Sequence, residues 1–195
     1  VLKTIGRKHT AQQFFDAFEL ARKCGFDNIN TDLIAGLPTD TSESFKNSLD
    51  SIVRLNAECI TVHTLCMKRA SRLTTEGVTL DLQQARDARE MLAYTQNILG
   101  QNEYIPYYMY RQSRMVGNLE NVGWSKKGFE SLYNVYVMDE THTILACGSG
   151  GVTKLKRNNP DYLERIFNFK YPYEYIDRFD ELIQRKSGIM QFYGQ

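Results

Sequence analysis

An alternation of helix, strand and helix near the start of the chain constrains the fold more than any other feature. Residues 28–34, Asn-Ile-Asn-Thr-Asp-Leu-Ile, place Ile29, Leu33 and Ile34 in a short apolar run that Gly36 and Pro38 cut off, which predicts a strand. Before it, residues 10–24 carry Phe14, Phe15, Phe18, Leu20 and Ala21 at helical spacing, and Gly25 supplies a helix end. After it, Ser42 can cap a second helix with Phe45, Leu49, Ile52, Val53 and Leu55 on its inner side. A second strand is expected over residues 59–65, with Ile60, Val62 and Leu65 apolar. A strand, helix, strand connection makes the two strands parallel neighbours by the right-handed crossover rule. The fold class is therefore α/β.

Asp32 does not suit a packed strand. It stands two residues short of the predicted strand's C-terminal end, where α/β folds hold their ligands. An ionised carboxylate there must be paired, hydrated or bound to something. A capping or loop-binding aspartate at a strand end satisfies the same requirement, so the residue alone leaves both readings open.

Further along, residues 68–78 are polar and read as a loop, and residues 81–102 form the longest predicted helix, with one side buried. Past residue 102 the pattern turns to strands: an aromatic stretch over 104–112, an alternating one over 132–138, and a third over 143–147 across a turn at 139–142. The sheet is expected to end near Leu155. Helices are expected over 161–167 and 172–186, the latter with Tyr175, Ile176, Phe179, Leu182 and Ile183 inward. This change of pattern divides the chain into residues 1–102 and 103–195.

Charge and cysteine usage narrow the partners. Lysine and arginine number 24 against 23 acidic residues, so nothing in the net charge of +1 calls for a nucleic-acid partner. No apolar run approaches the roughly 20 residues a membrane span needs. Cys24, Cys59, Cys66 and Cys147 lie far apart without a secretory signal, which points to reduced thiols and a cytoplasmic location. Of the three histidines, His63 reads as a hydrogen-bonded structural residue and His142 as an exposed turn residue; with His9 they form no obvious metal-binding set. Gly148, Gly150 and Gly151 lack the order of a nucleotide loop and read as a tight turn or a close approach to a ligand.

Several runs together resemble one family. Ile-Gly-Arg-Lys-His-Thr at 5–10, Ala-Arg-Lys-Cys-Gly-Phe at 21–26 and Ile-Asn-Thr-Asp-Leu-Ile-Ala-Gly-Leu-Pro at 29–38 are similar to the middle of the oxygen-independent coproporphyrinogen III oxidases, which are radical S-adenosylmethionine enzymes. Val-His-Thr-Leu-Cys-Met-Lys-Arg-Ala-Ser at 62–71, Tyr-Tyr-Met-Tyr-Arg-Gln at 107–112 and Gly-Asn-Leu-Glu-Asn-Val-Gly-Trp at 117–124 resemble its divergent Gram-positive branch. Gly-Ser-Gly-Gly-Val-Thr-Lys at 148–154 is similar to the family's Gly-x-Gly-Ala-x-Ser segment. The resemblance covers roughly residues 1–155.

The resemblance implies an incomplete parallel β/α barrel over residues 1–102, followed by family-specific strands and helices over 103–195. It implies that Asp32 and Ile34 belong to an S-adenosylmethionine pocket, the acid taking hydrogen bonds from ribose hydroxyls or an ammonium and the isoleucine packing on adenine. Cys66 falls where the family's next strand passes the cofactor; a buried thiol acting as a small hydrophobe is the plain alternative. Arg111 and Tyr110, with Lys68, Arg69, Arg72, Arg114, Tyr107 and Tyr108, would suit the carboxylates and rings of a tetrapyrrole substrate, whereas a solvated basic loop beside an aromatic core needs no ligand.

Family members hold a four-iron, four-sulfur cluster on a Cys-x-x-x-Cys-x-x-Cys run, which is absent from these residues. The expectation is of a C-terminal fragment, inert by itself, whose cluster segment precedes it. The implied reaction is oxidative decarboxylation of coproporphyrinogen III propionates to vinyl groups in haem biosynthesis, fed by an electron donor. A haem-binding chaperone of the same family and a radical enzyme with another substrate are the competing readings. An incomplete barrel would also leave a strand edge open to self-association.

Overall fold

The computed structural model describes residues 1–66, 82–111, 115–158 and 161–194. They form two compact units, Val1–Ser131 and Leu132–Gln195. The loop expected over 68–78, with Lys68, Arg69 and Arg72, lies outside the described residues, as does Arg114.

In the first unit, helix α1 (Ala11–Lys23) starts on a capping box. The Thr10 hydroxyl accepts from the Gln13 N–H at 3.2 Å, and the Gln13 side chain accepts from the Thr10 N–H at 2.9 Å. Strand β1 (Asn30–Ala35) leads through Gly36 to helix α2 (Ser42–Arg54), whose cap is Thr41, one residue before the expected Ser42. Strand β2 (Cys59–Thr64) pairs with β1 in parallel, from Asn30 opposite Cys59 to Ala35 opposite Thr64, as the crossover rule requires.

Helix α3 (Leu82–Gln101) buries Ala88, Met91, Thr95 and Leu99. Gly36 is needed for its approach: the φ of +79° suits glycine, and a Cβ there would lie 3.2 Å from that of Ala88.

The sheet then changes direction. Strand β3 (Ile105–Tyr110) and strand β4 (Asn121–Ser125) pair antiparallel with each other, and β4 inserts between β3 and β2, giving the order β1-β2-β4-β3. Strand β4 is not anticipated by the periodicity, because Asn-Val-Gly-Trp-Ser is short and interrupted by glycine. A 3-10 turn at Val116–Asn118 precedes it. The helix-facing side of the sheet buries Ile60, Val62 and Trp124 with Phe18, Phe45, Leu49, Ile52, Met91 and Leu99. Each fully buried leucine or phenylalanine contributes on the order of 1.5–3 kcal/mol.

Polar ties close the base of this core. Glu58 is buried, accepts from Arg22 Nη2 at 2.7 Å on both carboxylate oxygens, and accepts from the Ile29 N–H at 3.0 Å. Burial alone would raise its pKa; the Ile29 N–H and the Arg22 guanidinium outweigh that and hold it below the usual glutamate value. The Tyr104 hydroxyl donates to the Ala57 carbonyl at 2.5 Å, and burial pushes this phenol up to about 12.

The second unit corrects several expectations. Residues 132–138 are not a strand but lie in helix α4 (Leu132–Asp139). Their aromatic and β-branched content favours strand, but the segment has no strand partner among the described residues, and the Lys154 ammonium donates to the Val137 carbonyl at the helix end at 3.3 Å. Residues 161–167 are not a helix but strand β6 (Asp161–Phe167), paired antiparallel with β5 (Val152–Asn158) without a break in register. Over seven residues the helical and strand spacings of Leu163, Ile166 and Phe167 cannot be told apart.

Residues 143–147 form no strand either; a single bridge joins Ile144 to Lys154, and the sheet continues to Asn158. The expected helix over 172–186 breaks at Arg178 into α5 (Pro172–Asp177) and α6 (Phe179–Lys186), and α7 (Gly188–Tyr193) follows. Leu182 is buried, whereas Ile176, Phe179 and Ile183 are exposed.

Candidate functional site

The side of the sheet opposite the helices is polar. Period-two alternation puts Asn30 and Asp32 of β1 beside Cys59, Thr61 and His63 of β2 on that side, with Thr61 opposite Gly123 of β4, and Gly123 opposite Tyr108 of β3. The row therefore crosses all four strands. Gly123 makes it continuous: a Cβ there would fall 1.8 Å from Cε1 of Tyr108, so the ring occupies the space over β4 that a side chain would fill. From that position the Tyr108 hydroxyl reaches Thr61 Oγ1 at 3.3 Å, and Thr61 donates to Asn30 Oδ1 at 3.1 Å. Asn30 Nδ2 in turn donates to Asp32 Oδ1 at 2.7 Å.

A second chain of contacts converges on the same acid. Asp32 Oδ2 lies 3.8 Å from His63 Nε2, and His63 Nδ1 lies 3.3 Å from the Tyr110 hydroxyl. Tyr110 stacks on Tyr108 with ring centroids 6.3 Å apart and planes within 6°. The His63 imidazole is the main influence holding the Asp32 carboxyl below its usual range; partial burial opposes it, and Asn30 and Thr61 add to it. Burial raises both the Tyr108 and Tyr110 phenols, so each stays an O–H donor at neutral pH. Asp32 keeps 58% of its side-chain surface exposed. It is an ionised acid with more than half of its side chain open to solvent.

The expected site residues are distributed as follows. Asp32 stands at the third position of the six-residue β1, set further back from the strand end than the sequence implies. Ile34 is half buried and packs against the cluster of Leu65, Ala88 and Val116. Cys66 follows the end of β2, where it bridges Met115. Tyr110 joins the Asp32 row through His63, but Arg111 does not. Arg111 pairs with Glu120 at 2.5 Å and lines a cavity of about 660 Å³ beside Leu92, Thr95 and Gln96 of α3. The structure thus separates Arg111 and Tyr110, which sequence proximity had grouped together. Trp124, whose indole Nε1 is buried without a hydrogen-bond partner among the described residues, lines the same cavity.

Sequence reasoning missed the participation of Thr61, His63 and Gly123. The signal was present in the alternation of Cys59, Thr61 and His63, three polar or weakly polar residues at spacing two with apolar Ile60 and Val62 between them. Elsewhere, the glycines at 148–151 spend their N–H groups internally: Gly150 donates to Phe169 O, Gly151 to Gly148 O, and Gly148 to the Tyr175 hydroxyl. They form a tight turn. His142 is exposed and stacks on Tyr136 at 3.9 Å.

The donor and acceptor set around Asp32 fits the hydroxyls and ammonium of S-adenosylmethionine. Of the cysteines, Cys24 and Cys147 are exposed, and the buried Cys59 donates to the Phe129 carbonyl at 3.1 Å. Among the described residues no group of three or more His, Cys, Asp or Glu is placed to hold a metal ion.

No protein-family model matches the chain. It is 37% identical over 190 residues to the oxygen-independent coproporphyrinogen-III oxidase-like protein HemZ of Bacillus subtilis (strain 168), covering 97% of this chain and 38% of that protein. It is 32% identical over 168 residues to the heme chaperone HemW of Lactococcus lactis subsp. lactis (strain IL1403), covering 82% of this chain and 40% of that protein. With the heme chaperone HemW of Bacillus subtilis (strain 168) it shares 38% identity over 68 residues, 35% of this chain and 18% of that protein. The chain spans about two fifths of the length of the first two relatives. Its fold is similar to that of coproporphyrinogen III oxidase (HemN) from Escherichia coli, a radical SAM enzyme, with a TM-score of 0.63 at 18% identity over 92% of this chain and 40% of that one. The parallel β1–β2 pair with helices outside is compatible with part of a barrel. This chain therefore matches HemZ- and HemN-like coproporphyrinogen III oxidase family proteins, HemZ in sequence over nearly the whole of this chain's own length and HemN in fold.

Proposed function

We propose that this chain forms one wall of the cofactor and substrate site of a radical S-adenosylmethionine oxidoreductase that converts coproporphyrinogen III propionates to vinyl groups in haem biosynthesis. The observation that carries this reading is Asp32, an ionised and exposed acid held by neighbours on the polar side of a family-matching sheet. Asp32 binds the cofactor's ribose or ammonium, Ile34 and Cys66 border its adenine, and Tyr110 faces the substrate. Arg111, on the other side of the sheet, serves the substrate only through the cavity it lines.

When bound, the cofactor and its four-iron, four-sulfur cluster supply the radical that removes a hydrogen atom from the propionate side chain. The cluster ligands and the docking site of the electron donor belong, in this proposal, to segments outside these 195 residues. A cytoplasmic location accords with haem synthesis. Among the described residues no helix is long and apolar enough to cross a membrane.

Asp32→Asn keeps the shape and removes a charge-assisted hydrogen bond, a loss of about 1.5–3 kcal/mol, or about tenfold to a hundredfold in affinity. The check is S-adenosylmethionine affinity and deoxyadenosine production in the natural full-length protein, reconstituted with its cluster, beside a melting curve. Weakened binding at an unchanged melting temperature is expected. Unchanged affinity and turnover would return Asp32 to a structural role.

A second reading is a haem chaperone, favoured by the identity to two proteins of that name. Titration of the full-length protein with haem and with coproporphyrinogen III separates them: stoichiometric haem binding without vinyl product selects the chaperone.

A further inference from the structure

We propose that His63 is a positioning residue for Asp32, holding the carboxylate in its ligand-binding orientation at the end of a chain of side-chain contacts that begins on the opposite edge of the sheet. The proposal rests on the reading of Asp32 as a cofactor-binding acid. A carboxylate with more than half its side chain exposed rotates freely unless its neighbours hold it, and that freedom is lost on binding at a cost in affinity. Asn30 fixes Oδ1 at 2.7 Å. On the other side of the carboxylate, Oδ2 faces His63 Nε2 at 3.8 Å.

The imidazole is itself oriented from β3. The Tyr110 hydroxyl lies 3.3 Å from Nδ1, and the two rings meet edge to face at 6.4 Å. With the Tyr110 hydroxyl donating to Nδ1, a neutral ring carries its proton on Nε2, the atom facing Asp32. Tyr110 is in turn stacked on Tyr108, which Gly123 admits and Thr61 anchors. Position therefore passes from β3 through β2 to the acid on β1. A histidine whose sole role was to fill space would need neither its Nδ1 partner nor its place beside Oδ2.

The test is equilibrium binding of S-adenosylmethionine to the reconstituted full-length protein carrying Asp32→Asn, His63→Phe, His63→Gln, Tyr110→Phe and the double variant Asp32→Asn/His63→Phe. His63→Phe is expected to weaken binding by about threefold to thirtyfold at an unchanged melting temperature, and His63→Gln, which keeps an N–H, to recover most of that loss. The double variant should bind no more weakly than Asp32→Asn alone, because the histidine acts through the acid. If His63→Phe does not fold, Tyr110→Phe carries the test, with a loss of about threefold expected.

Weakened binding in Asp32→Asn with wild-type affinity in His63→Phe or Tyr110→Phe overturns this inference and leaves the functional reading standing. Additive losses in the double variant, or a glutamine that folds without recovering affinity, also overturn it. Wild-type affinity in Asp32→Asn overturns the functional reading itself.

Discussion

A methyl group at position 123 would collide with the Tyr108 ring, because a Cβ on that backbone would lie 1.8 Å from Cε1 and 2.4 Å from Cδ1. The ring is a side chain and can swing away, so Gly123→Ala should fold but lose the Tyr108–Thr61 contact, costing about 1–3 kcal/mol. A urea titration checks this: a lowered midpoint that Tyr108→Ala partly restores is expected, and an unchanged midpoint would mean that the ring has another place to sit. Arg22 and Glu58 offer a second test at this scale. Arg22→Ala leaves a buried carboxylate without its cationic partner, at a cost of about 1–3 kcal/mol after discounting for the partial exposure of Arg22. The Glu58 pKa is lowered by folding, so its contribution is present above the ordinary value of 4.5 and lost as pH falls through the depressed folded value. Urea midpoints measured down the acid range should therefore fall more steeply for the wild type than for Arg22→Ala; parallel curves would show that the pair does not set the acid response.

Strand β1 is an end strand of its sheet, hydrogen-bonded to β2 on one side. We propose that the 195-residue chain self-associates through this edge, as an unpaired row of N–H and C=O groups favours. Sedimentation velocity across a hundredfold range of concentration should show a growing dimer, and a single monomeric species throughout would contradict the proposal. The elements of the first unit were legible in the sequence because their signals were local. Thr10 and Gln13 mark a helix start, Gly36 and Pro38 a strand end, and the connection through α2 dictates a parallel β2. What could not be read was non-local: β4 inserts between β2 and β3 although the chain reaches it last, and nothing within Asn121–Ser125 specifies that place. For the same reason Asp32 was visible as an anomaly while its partners were not, since His63 and Tyr110 become neighbours only through the strand order. In the second unit, segments of seven or eight residues are too short for periodicity to tell helix from strand, so the strand expected over 132–138 and the helix expected over 161–167 are both reversed, and pairing with β5 makes β6 a strand.

The two compact units meet in sequence at Ser131 and Leu132, whereas the sequence pattern changes at residue 102. Strands β3 and β4 lie beyond that change yet complete the sheet that carries Asp32. We propose that residues 1–102 are barrel repeats and that 103–195 are the family's own addition, of which 103–131 became part of the site. On this view the polar row is a joint product: the acid comes from the repeats, and the tyrosines that steady it come from the addition. The most direct measurement is an experimental structure of the reconstituted full-length protein with S-adenosylmethionine bound. The expected result is a ribose hydroxyl or the ammonium of the cofactor within hydrogen-bond distance of Asp32, with His63 beside the second carboxylate oxygen; a cofactor bound elsewhere, with Asp32 facing only solvent, would contradict it.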